Sequence, residues 1–272
     1  MKNHFIFSYA GNKRNEVANN LEYLLNEEKK ADFNKVSIIN IKTIIEPFTG
    51  SGAFSYYMSI KYPNKFNYVL NDNNKHLKSI FNEIRDKSIE YINLKMNELI
   101  HEFNSYKDDK TRKDYYLTLV KGKDSDIYKW LFVNKYYSIR TELYPPLSRV
   151  KQIKPFNIED FPIYKFYKNE NIIFENKEGK TIYEEFKDNG ENLIYLDPPY
   201  LMSCNDFYEN GEVSIYEYLV DNNINKEKAR ILLCLENNWI IRLLFKSNKK
   251  SAEYGKMYQN TKKMVNHIMY SN

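Results

Sequence analysis

The sequence predicts an α/β fold, an open and mostly parallel sheet with crossover helices and one inserted region. Three observations predict it. Short apolar runs alternate along the chain with stretches of helical periodicity, the pattern of strands joined by crossover helices. One such run leads directly into Gly50-Ser51-Gly52 and then a new helical pattern, the layout of a strand–turn–helix unit. A third run, Leu193–Leu196, halts at Asp197-Pro198-Pro199-Tyr200; consecutive prolines end a strand because they carry no ladder donor.

The elements follow in order. Phe5-Ile6-Phe7 is a short apolar stretch before the turn-like Ala10-Gly11-Asn12-Lys13. Val17, Ala18, Leu21, Leu24 and Leu25 then fall on one helical face. Lys42 to Glu46 reads as a buried strand, Pro47 to Gly52 as a turn, and a helix is expected from about Ala53. Asn67 to Asn71 reads as the second strand, ending at Asp72. Ile89, Ile92, Met96, Leu99 and Phe103 mark a long helical region. From about Tyr106 to Glu170 the pattern changes. A helix around Ile127–Ile139 is mixed with Pro145, Pro146, Pro155 and Pro162 and with charges and aromatics, so this stretch reads as an insert. The alternation then resumes with a strand at Asn171–Glu175, a helix near Thr181–Phe186 and the strand Leu193–Leu196. A helix near Ser214–Val220, a strand near Ala229–Leu235, a helix near Trp239–Phe245 and a last strand near Val265–Tyr270 follow. The chain thus divides into core residues 1–105, an insert at 106–170 and core residues 171–272.

Composition removes several classes of function. Of 272 residues 42% are hydrophobic, enough for a packed core and too many for a disordered chain. Cys204 and Cys234 are the only cysteines, which excludes a disulfide framework and a cysteine zinc cluster. Four scattered histidines form no HExxH pattern, and no metal site is expected. No apolar run approaches the roughly 20 residues of a membrane helix, and the first dozen residues lack a signal-peptide core. A cytoplasmic, intracellular protein is expected. Lys, Asn, Tyr, Ile and Phe all have A/T-rich codons, so the abundance of Asn and of aromatics carries little weight, and the clustering of charges carries more.

Two segments carry chemistry. In Ile45-Glu46-Pro47-Phe48-Thr49-Gly50-Ser51-Gly52-Ala53-Phe54 the glycine turn between strand and helix lets a ligand approach the backbone closely. Asp72 lies at the end of the next strand, where a carboxylate in an open parallel sheet meets ribose hydroxyls. A lone GxG with an Asp capping a helix is also what an ordinary tight turn shows. The third glycine of a dinucleotide fingerprint is absent, position 55 being Ser, and no GK[ST] follows. A nucleoside without a pyrophosphate suits this loop better than NAD or ATP. The second segment is Asp197-Pro198-Pro199-Tyr200. Asp197 and Pro198 each precede a proline and are biased to extended backbone, and the two prolines offer carbonyls only. A fixed cluster of acceptors beside a flat ring suits a planar amino group with two hydrogens, on a ring that stacks on Tyr200. Alone, the segment reads equally as a strand terminator with a surface Tyr; the two segments together point to a site.

At this point the chain resembles the Dam-like, alpha-group DNA adenine methyltransferases. The resemblance rests on Phe7-Ser8-Tyr9-Ala10-Gly11-Asn12-Lys13, Glu46-Pro47-Phe48-Thr49-Gly50-Ser51-Gly52-Ala53, Asp72 and Asp197-Pro198-Pro199-Tyr200, in that order across nearly the whole chain. It implies a Rossmann-like methyltransferase core with an inserted, largely helical target-recognition region. It implies S-adenosyl-L-methionine as cofactor and double-stranded DNA as partner, with the chain a monomer or weak dimer. Cofactor contacts are implied for Tyr9, Ala10, Gly11, Lys13, Glu46, Pro47, Phe48, Gly50, Ser51, Gly52, Ala53, Asp72 and Asp197. Catalytic roles are implied for Asp197, Pro198 and Tyr200. Asn12 departs from the family, which commonly has a second Gly there.

The chemistry follows from these groups. The exocyclic nitrogen of adenine is a poor nucleophile because its lone pair is delocalised into the ring. If Asp197 and the Pro198 carbonyl each accept one amino hydrogen, the nitrogen becomes more tetrahedral and its lone pair turns toward the sulfonium methyl. Asp197 also stabilises the positive charge that develops on nitrogen. A base inside a duplex is out of reach and must flip out, onto Tyr200. Methylation at cytosine C5 would need a cysteine nucleophile, normally after proline; Cys204 follows Ser203 and Cys234 follows Leu233. Methylation at cytosine N4, or a catalytically silent DNA-binding relative, are the alternatives. Two basic stretches are candidate DNA contacts. In the insert Arg140, Arg149, Lys151 and Lys154 interleave with aromatics, and between Arg242 and Lys263 seven basic residues, Lys249 and Lys250 among them, face Glu253 alone. A solvated lysine face reads nearly as well for both.

Overall fold

The computed structural model describes residues 4–7, 25–26, 36–136, 151–199, 214–221, 224–258 and 263–272. The chain forms two compact units, one of Met1–Ala10 with Lys75–Asn169, the other of Gly11–Asn74 with Glu170–Asn272.

The second unit is built on one sheet. Its strands are β1 (Thr43–Glu46), β2 (Asn67–Asn71), β3 (Ile172–Glu175), β4 (Asn192–Leu196), β5 (Arg230–Glu236), β6 (Lys249–Tyr258) and β7 (Lys263–Ser271). The spatial order is β3-β2-β1-β4-β5-β7-β6. The first five strands pair in parallel, and β7 runs antiparallel to both β5 and β6. The interior strands are buried on both faces, as a parallel sheet covered by helices requires: every residue of β4 is buried, and Ile231 through Leu235 of β5 are buried. The helices Ala53–Lys61, Gly179–Phe186, Ser214–Asp221 and Trp239–Leu244 belong to this unit. The order reverses at β1, with β2 on one side and β4 on the other. In such sheets ligands bind at the carboxyl ends of the strands flanking that switch point.

The strands expected at Lys42–Glu46, Asn67–Asn71, Asn171–Glu175, Leu193–Leu196, Ala229–Leu235 and Val265–Tyr270 are all present within two residues at either end. β6 was not foreseen. The lysine-rich Lys249–Tyr258 is the outer strand of a hairpin, with an irregularity between Lys250 and Ala252. Edge strands are commonly lined with lysine, which discourages pairing with other chains, and that composition hides the strand from an apolar-pattern reading. The helical face expected at Val17–Leu25 lies outside the described residues except for Leu25. That residue belongs to a two-residue parallel bridge with Val36.

The first unit is helical. Its helices are Lys75–Asp86, Ile89–Ser105, Asp109–Gly122, Ile127–Tyr136 and Ile163–Tyr167; Asp109–Gly122 and Ile163–Tyr167 fall in the stretch that the sequence pattern marks only as mixed insert. Ser88 and Asp108 cap two of them, accepting the N–H of Tyr91 and Thr111 at 3.2 and 2.9 Å. In Ile89–Ser105, Ile92, Met96 and Phe103 are buried as their spacing predicts, and Ile100 rather than Leu99 completes the row. Lys135 sits over the Phe161 ring at 3.7 Å and donates to the Ile6 carbonyl at 3.2 Å.

Three asparagines of the same helix do work that composition alone conceals. Asn97 holds the backbone of Phe156 with both of its polar atoms, the Phe156 N–H to Oδ1 at 2.7 Å and Nδ2 to the carbonyl at 2.9 Å. Asn104 does the same to Ile153, and Asn93 accepts the N–H of Ile158. The side-chain amides thus serve the extended segment 153–158 as a partner strand would. Asn97→Ala is expected to leave two backbone groups unpaired and lower stability by about 1–3 kcal/mol. A urea melt of the full chain checks it, and an unchanged midpoint would show that water replaces the amide at no cost.

Candidate active site

The loops that follow β1, β2 and β3 are tied together at the carboxyl ends of those strands. Asn71, fully buried at the end of β2, donates from Nδ2 to the Pro47 carbonyl at 2.8 Å and to the Lys177 carbonyl at 3.0 Å. Its Oδ1 accepts the Lys177 N–H at 2.9 Å, and its carbonyl accepts the Thr49 N–H at 2.7 Å. One residue therefore ties the loops after β1 and β3 to the end of β2.

The glycine turn is held from the same strand end. Gly50 and Gly52 have φ of 50° and 66°, a conformation that residues with a Cβ adopt only with strain. The Asp72 carboxylate accepts the Gly50 N–H at 2.9 Å through Oδ2 and the Asn74 N–H at 3.0 Å through Oδ1. Gly52 donates to the Thr49 carbonyl at 2.8 Å and caps the helix that opens at Ala53. Phe48 lies against Gly179, where a Cβ would meet its ring at 2.3 Å, so only glycine admits the ring there. Thr49 Oγ1 is buried and has no hydrogen-bond partner among the described residues, an orphan that a polar ligand at the loop would satisfy.

The acids sit on adjacent strands. Glu46 ends β1, is almost fully buried, and accepts the Ser55 N–H at 2.8 Å. Burial pushes its carboxyl up to about 8; the Ser55 N–H pulls it down, and the negative charge of Asp197 adds to the rise. Asp197, half-buried, follows β4. Phe54 stacks on Tyr195 with ring centroids 4.2 Å apart, fixing β4 just before it turns. Beyond Asp197 the Pro199 carbonyl accepts the Tyr216 hydroxyl at 2.9 Å. Pro198, between them, is buried.

Glu46, Pro47, Phe48, Gly50, Ser51, Gly52, Ala53, Asp72, Asp197 and Pro198 are thereby placed at one end of one sheet. Tyr9, Ala10, Gly11, Lys13, Tyr200, Arg140 and Arg149 lie outside the described residues. Lys151 and Lys154 are exposed in the helical unit, and Lys249 and Lys250 lie on β6. Sequence reasoning passed over Asn71 and Gly179. A polar residue closing an otherwise apolar strand was the available signal for Asn71; for Gly179, a glycine opening a helical pattern was the only one.

A sheet of this order, with its reversed final hairpin, a glycine turn after the first strand and an acid after the fourth, defines a Rossmann-like methyltransferase core. Residues 9–249 match the family model described as D12 class N6 adenine-specific DNA methyltransferase. The chain belongs to that family, and it is an adenine-specific DNA methyltransferase. It is also similar to the "Type II methyltransferase M.MjaIII" of Methanocaldococcus jannaschii, 26% identical over 255 residues that span 83% of this chain and 81% of the relative. No helix among the described residues is long and apolar enough to cross a membrane.

Proposed function

We propose that the protein moves the methyl group of S-adenosyl-L-methionine to N6 of an adenine flipped out of duplex DNA. The observation that carries this reading is the convergence of the Asp72-held glycine turn, the buried Glu46 and the Asp197-Pro198 acceptors at the switch point of the sheet. The residues present fit the cofactor. A turn that offers backbone at Gly50 and Gly52, an orphan hydroxyl at Thr49 and two carboxyls suit a polar, cationic nucleoside. When bound, the cofactor supplies an electrophilic methyl group on a sulfonium. Asp72 holds the loop and serves the ribose side. Asp197 and the Pro198 carbonyl each accept a hydrogen bond from the adenine amino group and so orient its lone pair, and the Asp197 carboxylate balances the charge that builds on nitrogen until one amino proton is lost. Tyr200 carries the extruded ring. The insert, with Lys151 and Lys154, supports target reading, and Lys249 and Lys250 support contact with phosphates. The test is transfer of labelled methyl to duplex DNA followed by nucleoside mass spectrometry; label in N6-methyladenine supports the reading, and label in N4-methylcytosine overturns it.

Glu46 gives a pH signature. Below about pH 8 its carboxyl is protonated, and above it the carboxylate is an anion. A cationic ligand favours the anion, so binding near pH 7 should displace a proton, and affinity should rise toward pH 9. Glu46→Gln keeps an acceptor for the Ser55 N–H but has no proton to lose. Calorimetry in two buffers of different ionisation enthalpy should show more proton release from the wild type than from Glu46→Gln. Equal release would remove Glu46 from the cofactor's surroundings.

A further inference from the structure

The helix Trp239–Leu244 leaves an apolar face uncovered. Ile241 and Phe245 are buried, and Asn238 Oδ1 accepts the Ile241 N–H at 3.0 Å, so the helix is fixed to its unit. Trp239 and Leu243, one turn apart, are 73% and 57% exposed. An indole this exposed beside a second large apolar side chain marks a contact surface. Its place in the fold says which one. β4 and β5 are parallel with Leu196 opposite Leu233, so Asp197 lies level with Cys234, and Trp239 follows toward the same carboxyl rim. β5 ends at Glu236, two residues past that level, and Trp239 opens the helix three residues further on. The surrounding sequence is basic, with Lys246 exposed just past the helix and seven basic residues against Glu253 between Arg242 and Lys263. Arg242 is bound by Glu253 at 2.8 Å and by Asn237 at 2.7 Å, so it braces the turn while the lysines supply the positive charge.

We propose that Trp239 and Leu243 form an apolar wedge that packs against the DNA bases flanking the extruded adenine. The inference rests on the methyltransferase reading above and adds a contact to it. Apolar side chains that enter a base step hold the duplex open, and aromatic rings stack on bases regardless of sequence. The wedge is a positioning element and touches no reacting atom.

The protein carries its own reporter. Its two tryptophans are Trp130, 3% exposed and packed on Phe7 and His76, and Trp239. Acrylamide-quenchable emission of the free protein therefore comes from Trp239, with Trp239→Phe as the blank. The probe is a 24-base-pair duplex (about two helical turns) bearing the sequence that the wild type methylates, mapped by methylation sequencing. S-adenosylhomocysteine is present to prevent turnover. The duplex should lower the quenchable emission several-fold. Trp239→Ala should weaken duplex binding about ten-fold with S-adenosylmethionine affinity unchanged. Quenching left unaltered by a duplex that the wild type methylates overturns the wedge while the methyltransferase reading stands. An indole already shielded in the free protein also overturns it, since a second copy or another segment then covers the face. A wild type that transfers no methyl to DNA brings down the reading and the wedge together.

Discussion

Asp197→Ala should lower the rate of methyl transfer by about two to three orders of magnitude, the loss seen when one preorganised electrostatic group is removed from a transition state. The residue is half-buried at the open end of β4, so the strand and its packing survive the change. Cofactor affinity should move far less than the rate. Tyr200→Ala should also slow turnover, through poorer holding of the flipped base, and a duplex with a mismatch at the target adenine should recover part of that loss because the base is easier to extrude. Asp197→Ala should show no recovery, since its defect follows flipping. Single-turnover kinetics on matched and mismatched duplexes separate the two. Equal recovery by both variants would mean that Asp197 acts in base extrusion and not in the methyl transfer itself.

The second large effect is expected at Asp72. Asp72→Ala removes a charged acceptor and also frees the N–H groups of Gly50 and Asn74. A hydrogen bond to a charged group contributes about 1.5–3 kcal/mol, so S-adenosylmethionine should bind roughly 10- to 100-fold more weakly. Asp72→Asn keeps one acceptor for the glycine turn and should fall between the two. Isothermal calorimetry checks the affinities, with thermal melting to show that the sheet is intact. Wild-type affinity in Asp72→Ala would limit the residue to capping the turn.

The order in which the site was legible follows from what each residue type signals. β1, β2 and β4 announce themselves as apolar runs with nothing else to be, and the acids that end them sit where parallel sheets place ligands. Asp72 was expected to meet a ribose; in the structure its side chain accepts the Gly50 N–H, a bond between residues 22 apart that no local pattern encodes. Asn71, Asn93, Asn97 and Asn104 were hidden for a different reason. An A/T-rich codon bias makes any single Asn uninformative, and their use depends on backbone groups brought near by folding. β6 was hidden by its lysines, whose edge-strand role and whose attraction for phosphate look alike in sequence. The helix Asp109–Gly122 buries Arg112 alongside Tyr116, Leu119 and Val120. An arginine paired with Asp109 at 2.6 Å occupies an inward position there, which breaks the apolar spacing that would have marked the helix.

The most direct measurement is the identity of the methylated base. Wild type and Asp197→Ala are incubated with one duplex and labelled S-adenosylmethionine, and the DNA is digested to nucleosides for mass spectrometry. Label is expected in N6-methyladenine from the wild type, with a signal lower by about two orders of magnitude or more from the variant, at matching cofactor occupancy. Label in cytosine, or equal N6-methyladenine from both proteins, would contradict this expectation.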